Sequence, residues 1–364
     1  MMRKKYCFFA VAVALLVGTL AGQPLLAQAS GGQKTAAAAG ACNRECLNGL
    51  VDKYLDAVVA HDPSQLPLAK PVKFTENGQR LELGDGFWRT ASGRGTYKLY
   101  VDDLETGQVG FMGTMREAGQ PVVVALRLKV RRGQIAEIET IVARGSMSER
   151  GAANLEKLGA PDPIYLQEVP AAERVSRAEV IKTADKYFSG MQMNDGKGDY
   201  SFFADDCNRL ENGMQTTNNP TPMQGTSPSG NAPPATVSRR YDPALNPTMY
   251  SAGWPCKDQF QSGLLHFVTR IRDRRFVIVD RERGIAFAFG FFDHAAGNTR
   301  TFQTPGGRTV TAGPQTPWTW EICELFKVQG GQIHRIEAVL TQSPYGMGSG
   351  WSTWEQSMSD QARW

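Results

Sequence analysis

The chain is poor in histidine, lacks a Cys-x-x-Cys pair, and carries no strong charge of either sign. His61, His266, His294 and His334 are scattered and no Cys-x-x-Cys occurs, so the sequence offers no zinc-type ligand set. Lysine and arginine total 40 against 36 acidic residues, and Arg3, Lys4 and Lys5 sit together at the N-terminus. The remainder is close to neutral with the signs interleaved, which argues against a nucleic-acid partner. Phosphate loops, dinucleotide fingerprints and nucleophile motifs are missing. The glycines of Gly346 to Gly350 follow no strand-to-helix pattern that would cradle a phosphate. No cofactor and no metal are therefore expected. Beyond the first 29 residues no run is long and apolar enough to span a bilayer, so no membrane contact is expected once that segment is removed.

What is present begins with an export signal. Arg3, Lys4 and Lys5 form a positive start, Cys7 to Leu20 is almost wholly apolar, and Gly22 and Pro24 break the helix before Ala27-Gln28-Ala29. This is the pattern of a secretory signal peptide over residues 1–29, with the mature chain starting near Ser30 in the periplasm or outside the cell. The exported chain keeps Cys42, Cys46, Cys207, Cys256 and Cys323, an odd number in a compartment that permits disulfides. Cys207 and Cys256 flank a proline-rich insertion of about 214–250 and are expected to pair. Pairing among Cys42, Cys46 and Cys323 stays open. A hydrophobic fraction of 41% with 21% charged residues is that of a globular protein.

The sequence also repeats itself. Asp52-Lys53-Tyr54 recurs as Asp185-Lys186-Tyr187, and Glu76-Asn77-Gly78 as Glu211-Asn212-Gly213. Val101-Asp102 recurs as Val279-Asp280, and Lys129-Val130 with Gly133-Gln134-Ile135 and Ile138-Glu139 as Lys327-Val328 with Gly331-Gln332-Ile333 and Ile336-Glu337. The common order implies duplication. Each copy opens with an amphipathic helix: Leu47, Leu50, Val51, Tyr54, Leu55, Val58 and Val59 in one, Ile181, Ala184, Phe188 and Met191 in the other. Ser176 and Glu179 form a capping box on the second helix, and His61 is expected to cap the first. Long strands come next, closed by hairpins at Arg131-Arg132-Gly133 and Gln329-Gly330-Gly331. The expected fold class is α+β, a curved antiparallel sheet over helices, built twice. The expected organisation is a linker at 30–41, domain 1 at 42–147, a linker at 148–174, domain 2 at 175–345 and a tail at 346–364.

This helix-first order, with long bent strands and a closing hairpin ending in Gly-Gln-Ile-x-x-Ile-Glu, resembles the nuclear transport factor 2-like superfamily, which includes ketosteroid isomerase and SnoaL-type cyclases. The resemblance covers both repeats and implies two tandem cone-shaped domains. The phrases Cys-x-x-x-Cys-Leu, Phe-Thr-Glu-Asn-Gly and Gly-Phe-Phe-Asp-His also resemble an uncharacterised family of secreted bacterial and fungal proteins. Isomerases, dehydratases, lyases and binding modules all use the superfamily fold, so the site must decide the chemistry.

Asp293-His294 ends an apolar strand of the second copy, where the first has Arg116-Glu117, and His294 could serve as a general base or acid at the mouth of a cone. Glu211 could gain basicity by desolvation and Asn212 beside it could orient a substrate oxygen, although Glu-Asn-Gly is good turn chemistry and favours a structural role. Trp254 and Tyr345 are candidate pocket walls, and His266 a further pocket or core residue. The expected function is a cofactor-independent lyase, dehydratase or isomerase acting on a small apolar or aromatic molecule, with His294, Asp293 and Glu211 as its catalytic groups. The alternative is a non-catalytic binding protein using the same cavity. A protein that dimerises through its sheets, as a homo-oligomer, is the third option.

Overall fold

Asn43 starts the first helix by accepting the Cys46 N–H on its side chain at 2.9 Å. The helix, α1 (Arg44–Val59), buries Leu47, Leu50, Val51, Tyr54, Leu55 and Val58, the expected stripe. It ends where His61 turns left-handed at φ 55°. The His61 ring does not cap it; its Nδ1 lies 2.5 Å from the Trp88 carbonyl oxygen instead. The structure, a computed structural model, describes residues 42–220, 250–297, 299–303, 307, 309–314 and 316–364. The expected signal peptide and most of the proline-rich insertion lie outside the described residues.

After α1 come β1 (Leu68–Glu76), β2 (Gln79–Arg80), a one-turn helix α2 (Phe87–Thr90), β3 (Ala91–Asp103), β4 (Gln108–Glu117), β5 (Gln120–Arg131) and β6 (Gln134–Ala143). They form one sheet in the order β2-β1-β6-β5-β4-β3. A connecting helix α3 (Ser146–Leu158) leads to α4 (Arg177–Met191), whose Ser176–Glu179 capping box is present. The second sheet uses β7 (Phe203–Glu211), β8 (Met214–Gln215), β9 (Arg270–Asp280) and β10 (Ile285–His294). A small hairpin, β11 (Arg300–Gln303) and β12 (Thr309–Ala312), precedes β13 (Trp318–Gln329) and β14 (Gln332–Ser343). The order β8-β7-β14-β13-β10-β9 repeats the first sheet strand for strand. The chain is thus α+β with two tandem copies of one plan. Each sheet is mixed rather than purely antiparallel, because β1 and β7 run parallel to β6 and β14.

Strand register corrects one repeat by a residue. Gln108 pairs with Lys129 and Ile285 with Lys327, so Asp103, not Asp102, is the counterpart of Asp280. The turns from Asp103 to Gln108 and from Asp280 to Ile285 are of equal length, which places the two aspartates in equivalent positions. The two Glu-Asn-Gly phrases are turns, with Asn77 and Asn212 at φ 45° and 46° and their glycines also left-handed. Asn77 spends its amide on the Val142 backbone and Asn212 on that of Leu340.

Each sheet has two apolar faces. One packs on its own helix, filling the first cone with residues such as Phe74, Phe111 and Leu126 and the second with Phe188, Phe260, Phe276 and Phe326. The other faces meet in a seam where Leu99, Met112 and Val123 pack with Ile278, Phe287 and Leu325. Gly110 is needed there, since a Cβ would come within 2.9 Å of the Phe287 ring. The seam is reciprocal in the manner of a two-fold dimer. Arg44, heading α1, bonds Asp280 of the other half at 2.5 Å; Arg177, heading α4, bonds the counterpart Asp103 at 2.6 Å. The segments after the two sheets also cross over. In α3, Gly151 lies against the Asn212-Gly213 turn, and in the C-terminal segment Met347 lies against Gly78. Each sheet is thus packed on its helix on one face and in the seam on the other.

Cys207 and Cys256 form the expected disulfide, and Cys42 pairs with Cys46. Cys323 is free and buried in the seam. Among the described residues no helix is long and apolar enough to cross a membrane.

Candidate functional site

The residues expected to form the site are not brought together. Glu211 lies level with Ala338, Glu324 and Ala288 across the sheet, five residues along β10 from Asp293. At roughly 3.4 Å per residue this is about 17 Å. Asp293 is fully buried and accepts hydrogen bonds from Arg272 at 2.8 Å, Arg270 at 3.1 Å and the Thr319 hydroxyl at 2.7 Å. Burial pushes its carboxyl upward, but the Arg272 and Thr319 bonds outweigh that and hold it below the usual carboxylate range.

His294 points elsewhere and is sealed. Its ring stacks on Trp318 with centroids 3.5 Å apart and on Phe267 at 5.4 Å, and among the described residues neither nitrogen has a hydrogen-bond partner. Burial pulls its pKa down to about 3, against smaller pulls from the Phe292 carbonyl and the Asp293 charge. A ring with no exposed surface cannot exchange a proton with a substrate, so His294 is a core residue and not the expected base.

Glu211 is tied to Arg209 at 2.9 Å, and the fully buried Arg209 also donates to Gln259 at 2.6 Å and Tyr187 at 3.1 Å. Burial first, then the charge of Glu211, pushes the neighbouring Glu324 up to about 8. Trp254 is buried against Tyr250 rather than lining an open pocket. His266 is wholly buried, its Nδ1 3.0 Å from the Gly263 carbonyl oxygen. Tyr345 is on the surface, 47% exposed.

A cavity of about 360 Å³ lies outside both cones, at the border of the two halves. Tyr97 of β3 enters it from the first half, Asn208, Arg335 and Glu337 from the second sheet, and Ala160 and Tyr165 from the connecting segment. Glu337 takes its place by strand alternation: Ile336 turns into the second cone, so Glu337 turns to the seam. There it is 2% exposed, and its Oε2 accepts the Tyr97 hydroxyl at 2.9 Å. Burial pushes its pKa up to about 7, with the Tyr97 bond opposing. Burial and the Glu337 charge also raise the Tyr97 hydroxyl, which stays protonated and able to donate. Arg335 is fixed by Asp162 at 2.7 Å and by the Asp206 carbonyl at 2.7 Å. The cavity therefore joins a carboxyl that can give or take a proton near neutrality to a hydroxyl donor and a partly apolar wall.

Glu337 and Tyr97 were not singled out in the sequence. Glu337 belongs to a recurring phrase that reads as scaffold. The available signal was a carboxylate set between Ile336 and the apolar Ala338-Val339-Leu340 of a strand. A smaller cavity of about 110 Å³, by Val169 and Gly331, has only the exposed Glu173 as an acid. Among the described residues no group of His, Cys, Asp and Glu is placed to hold a metal ion.

Three buried carboxyls with raised pKa values set a pH dependence. Burial pushes Glu321 and Glu324 to about 8 and Glu337 to about 7, all above their unfolded value of 4.5. The folded state then holds more protons than the unfolded one, so their stabilising contribution is complete below pH 4.5 and is lost as pH rises towards 8. His294, near 3 when folded and 6.5 when unfolded, gains stability as pH rises to 6.5 and adds no slope beyond. Melting temperature should therefore fall between pH 6.5 and 8, and Glu321→Gln should flatten the fall. A melting temperature that rises across that window would show that these carboxyls are ionised in the folded protein.

Comparison with known proteins gives a family without an assigned role. A family model described as "Domain of unknown function (DUF8021)" matches residues 41–142 and 173–340, the two segments that carry the sheets. A crystal structure described as "putative ketosteroid isomerase from Kribbella flavida DSM 17836" is similar at 13% identity, over 28% of this chain and 81% of that one, with a TM-score of 0.23. No curated protein matches.

Proposed function

The chain belongs to the family described as domain of unknown function DUF8021, and from its seam cavity we propose an exported, cofactor-independent enzyme doing acid–base chemistry on a small apolar or aromatic molecule. Glu337 transfers the proton and Tyr97 donates the hydrogen bond that steadies its carboxylate. The observation that carries this reading is a carboxyl brought to about 7 by burial while lining a cavity of about 360 Å³. Isomerisation, dehydration and other eliminations fit, because each needs a positioned acid–base group at a concave site. Export is supported by the signal-like N-terminus and by two disulfides, which an oxidising compartment maintains. The test is turnover by Glu337→Gln once a small-molecule screen of the mature chain has yielded a substrate.

A further inference from the structure

The surroundings of Glu337 have a counterpart in the first half, and there the space is filled by the chain itself. Lys73 and Thr75 pair with Glu137 and Glu139 across β1 and β6; Asn208 and Leu210 pair with Arg335 and Glu337 across β7 and β14 in the same register. The second set lines the seam cavity. On the first set lies the indole of Trp351, carried there by the C-terminal segment. Its N–H donates to the Thr75 hydroxyl at 2.8 Å, and the Lys73 ammonium and Arg127 guanidinium lie 3.8 and 4.6 Å from its ring centre. Lys73 also donates to the Gly350 carbonyl at 2.6 Å, fixing the segment beside the ring.

The two sites diverge in the segment that leaves each sheet. The C-terminal segment lays the Trp351 ring on its strands, whereas the segment after β6 brings α3 and then Ala160, Asp162 and the Tyr165 ring, which wall the space without filling it. The carboxylates diverge with them. Glu139 is held by Arg127 at 3.0 Å and by Arg275 of the other half at 2.5 Å, so it is fully committed to cations. Among the described residues Glu337 has only the Tyr97 hydroxyl, on Oε2. Leu325 stands where the first half has Arg127, and Leu210 where it has Thr75. A ring seated here would lose the threonine acceptor, and the Glu337 carboxyl would be the acceptor beside it.

Resting on the reading of this cavity as the functional site, we propose that its ligand is a flat aromatic molecule of indole size bearing an N–H or O–H donor. It takes the place that Trp351 takes in the first half and directs its donor to Glu337. The charge of the lining agrees. Arg335 is already neutralised by Asp162 and Asp206, and a half-protonated Glu337 favours a neutral ligand over an anion.

The test is calorimetric titration of the mature chain with indole and with benzothiophene, which has the same shape but no donor. One indole should bind per chain, at least tenfold more tightly than benzothiophene, and Ala160→Trp, which places a ring in the cavity from an exposed loop, should abolish it. Trp351→Ala should bind a second indole and recover its lost melting temperature when indole is added. Absence of saturable indole binding by the wild type, or binding that survives Ala160→Trp, overturns the proposal, and equal affinity for benzothiophene overturns the donor role. Loss of turnover in Glu337→Gln with no indole binding would leave the cavity as the site and remove this ligand class. Indole binding there with unchanged turnover in that variant would do the reverse.

Discussion

Glu337→Gln should lower turnover by on the order of a hundredfold or more, the usual scale for a general acid or base. Glutamine keeps the shape and an acceptor for the Tyr97 hydroxyl, so the fold should survive and the loss should fall on kcat rather than on binding. The wild-type rate should titrate with a group near 7, the value burial gives Glu337, and that limb should vanish in the variant. Tyr97→Phe offers a signature that a merely structural role would not produce. The Tyr97 bond lowers the pKa of Glu337, so removing it should move the limb to higher pH while part of the rate remains. Near wild-type turnover in a folded Glu337→Gln variant would remove Glu337 from the chemistry.

Asp293→Ala should destabilise the protein by about 3–5 kcal/mol, the cost of breaking a buried ion pair from one side. Arg272 has no exposed surface and donates two hydrogen bonds to Asp293, so truncation strands a guanidinium in the core. Asp293→Asn keeps one acceptor and should cost less. The urea midpoint should drop with the slope unchanged, which separates lost stability from a change in the unfolded chain. A loss below about 1 kcal/mol would mean that the pair is solvated. His294→Gln belongs with this group: it should weaken the stack between Phe267 and Trp318 and leave turnover alone.

The local grammar of the fold was legible. The α1 stripe, the Ser176 capping box, the left-handed Asn-Gly turns and the repeat order all come from short-range chemistry that a sequence displays directly. The sheet-to-sheet seam was less so, though one run carried the signal. Ile285 to Phe292 has no polar face, which in a strand means burial on both sides and so a second layer. The expectation for His294 failed for the same reason, since burial on both sides continues through the end of that strand. Tyr97 and Glu337 are 240 residues apart and meet only because the two halves pack face to face, a fact no local pattern holds. The one-residue slip at Val101-Asp102 arose because a two-residue match is met by chance one position early, whereas the strand pairing aligns Asp103 with Asp280.

The central claim is that Glu337 is a buried, proton-exchanging carboxyl in the seam cavity. Carbon-13 NMR of the mature chain labelled at the glutamate carboxyls, titrated from pH 4 to 9, tests it without a substrate. The resonance missing from Glu337→Gln should titrate with a midpoint near 7; a midpoint at the ordinary glutamate value of about 4.3 would contradict the account.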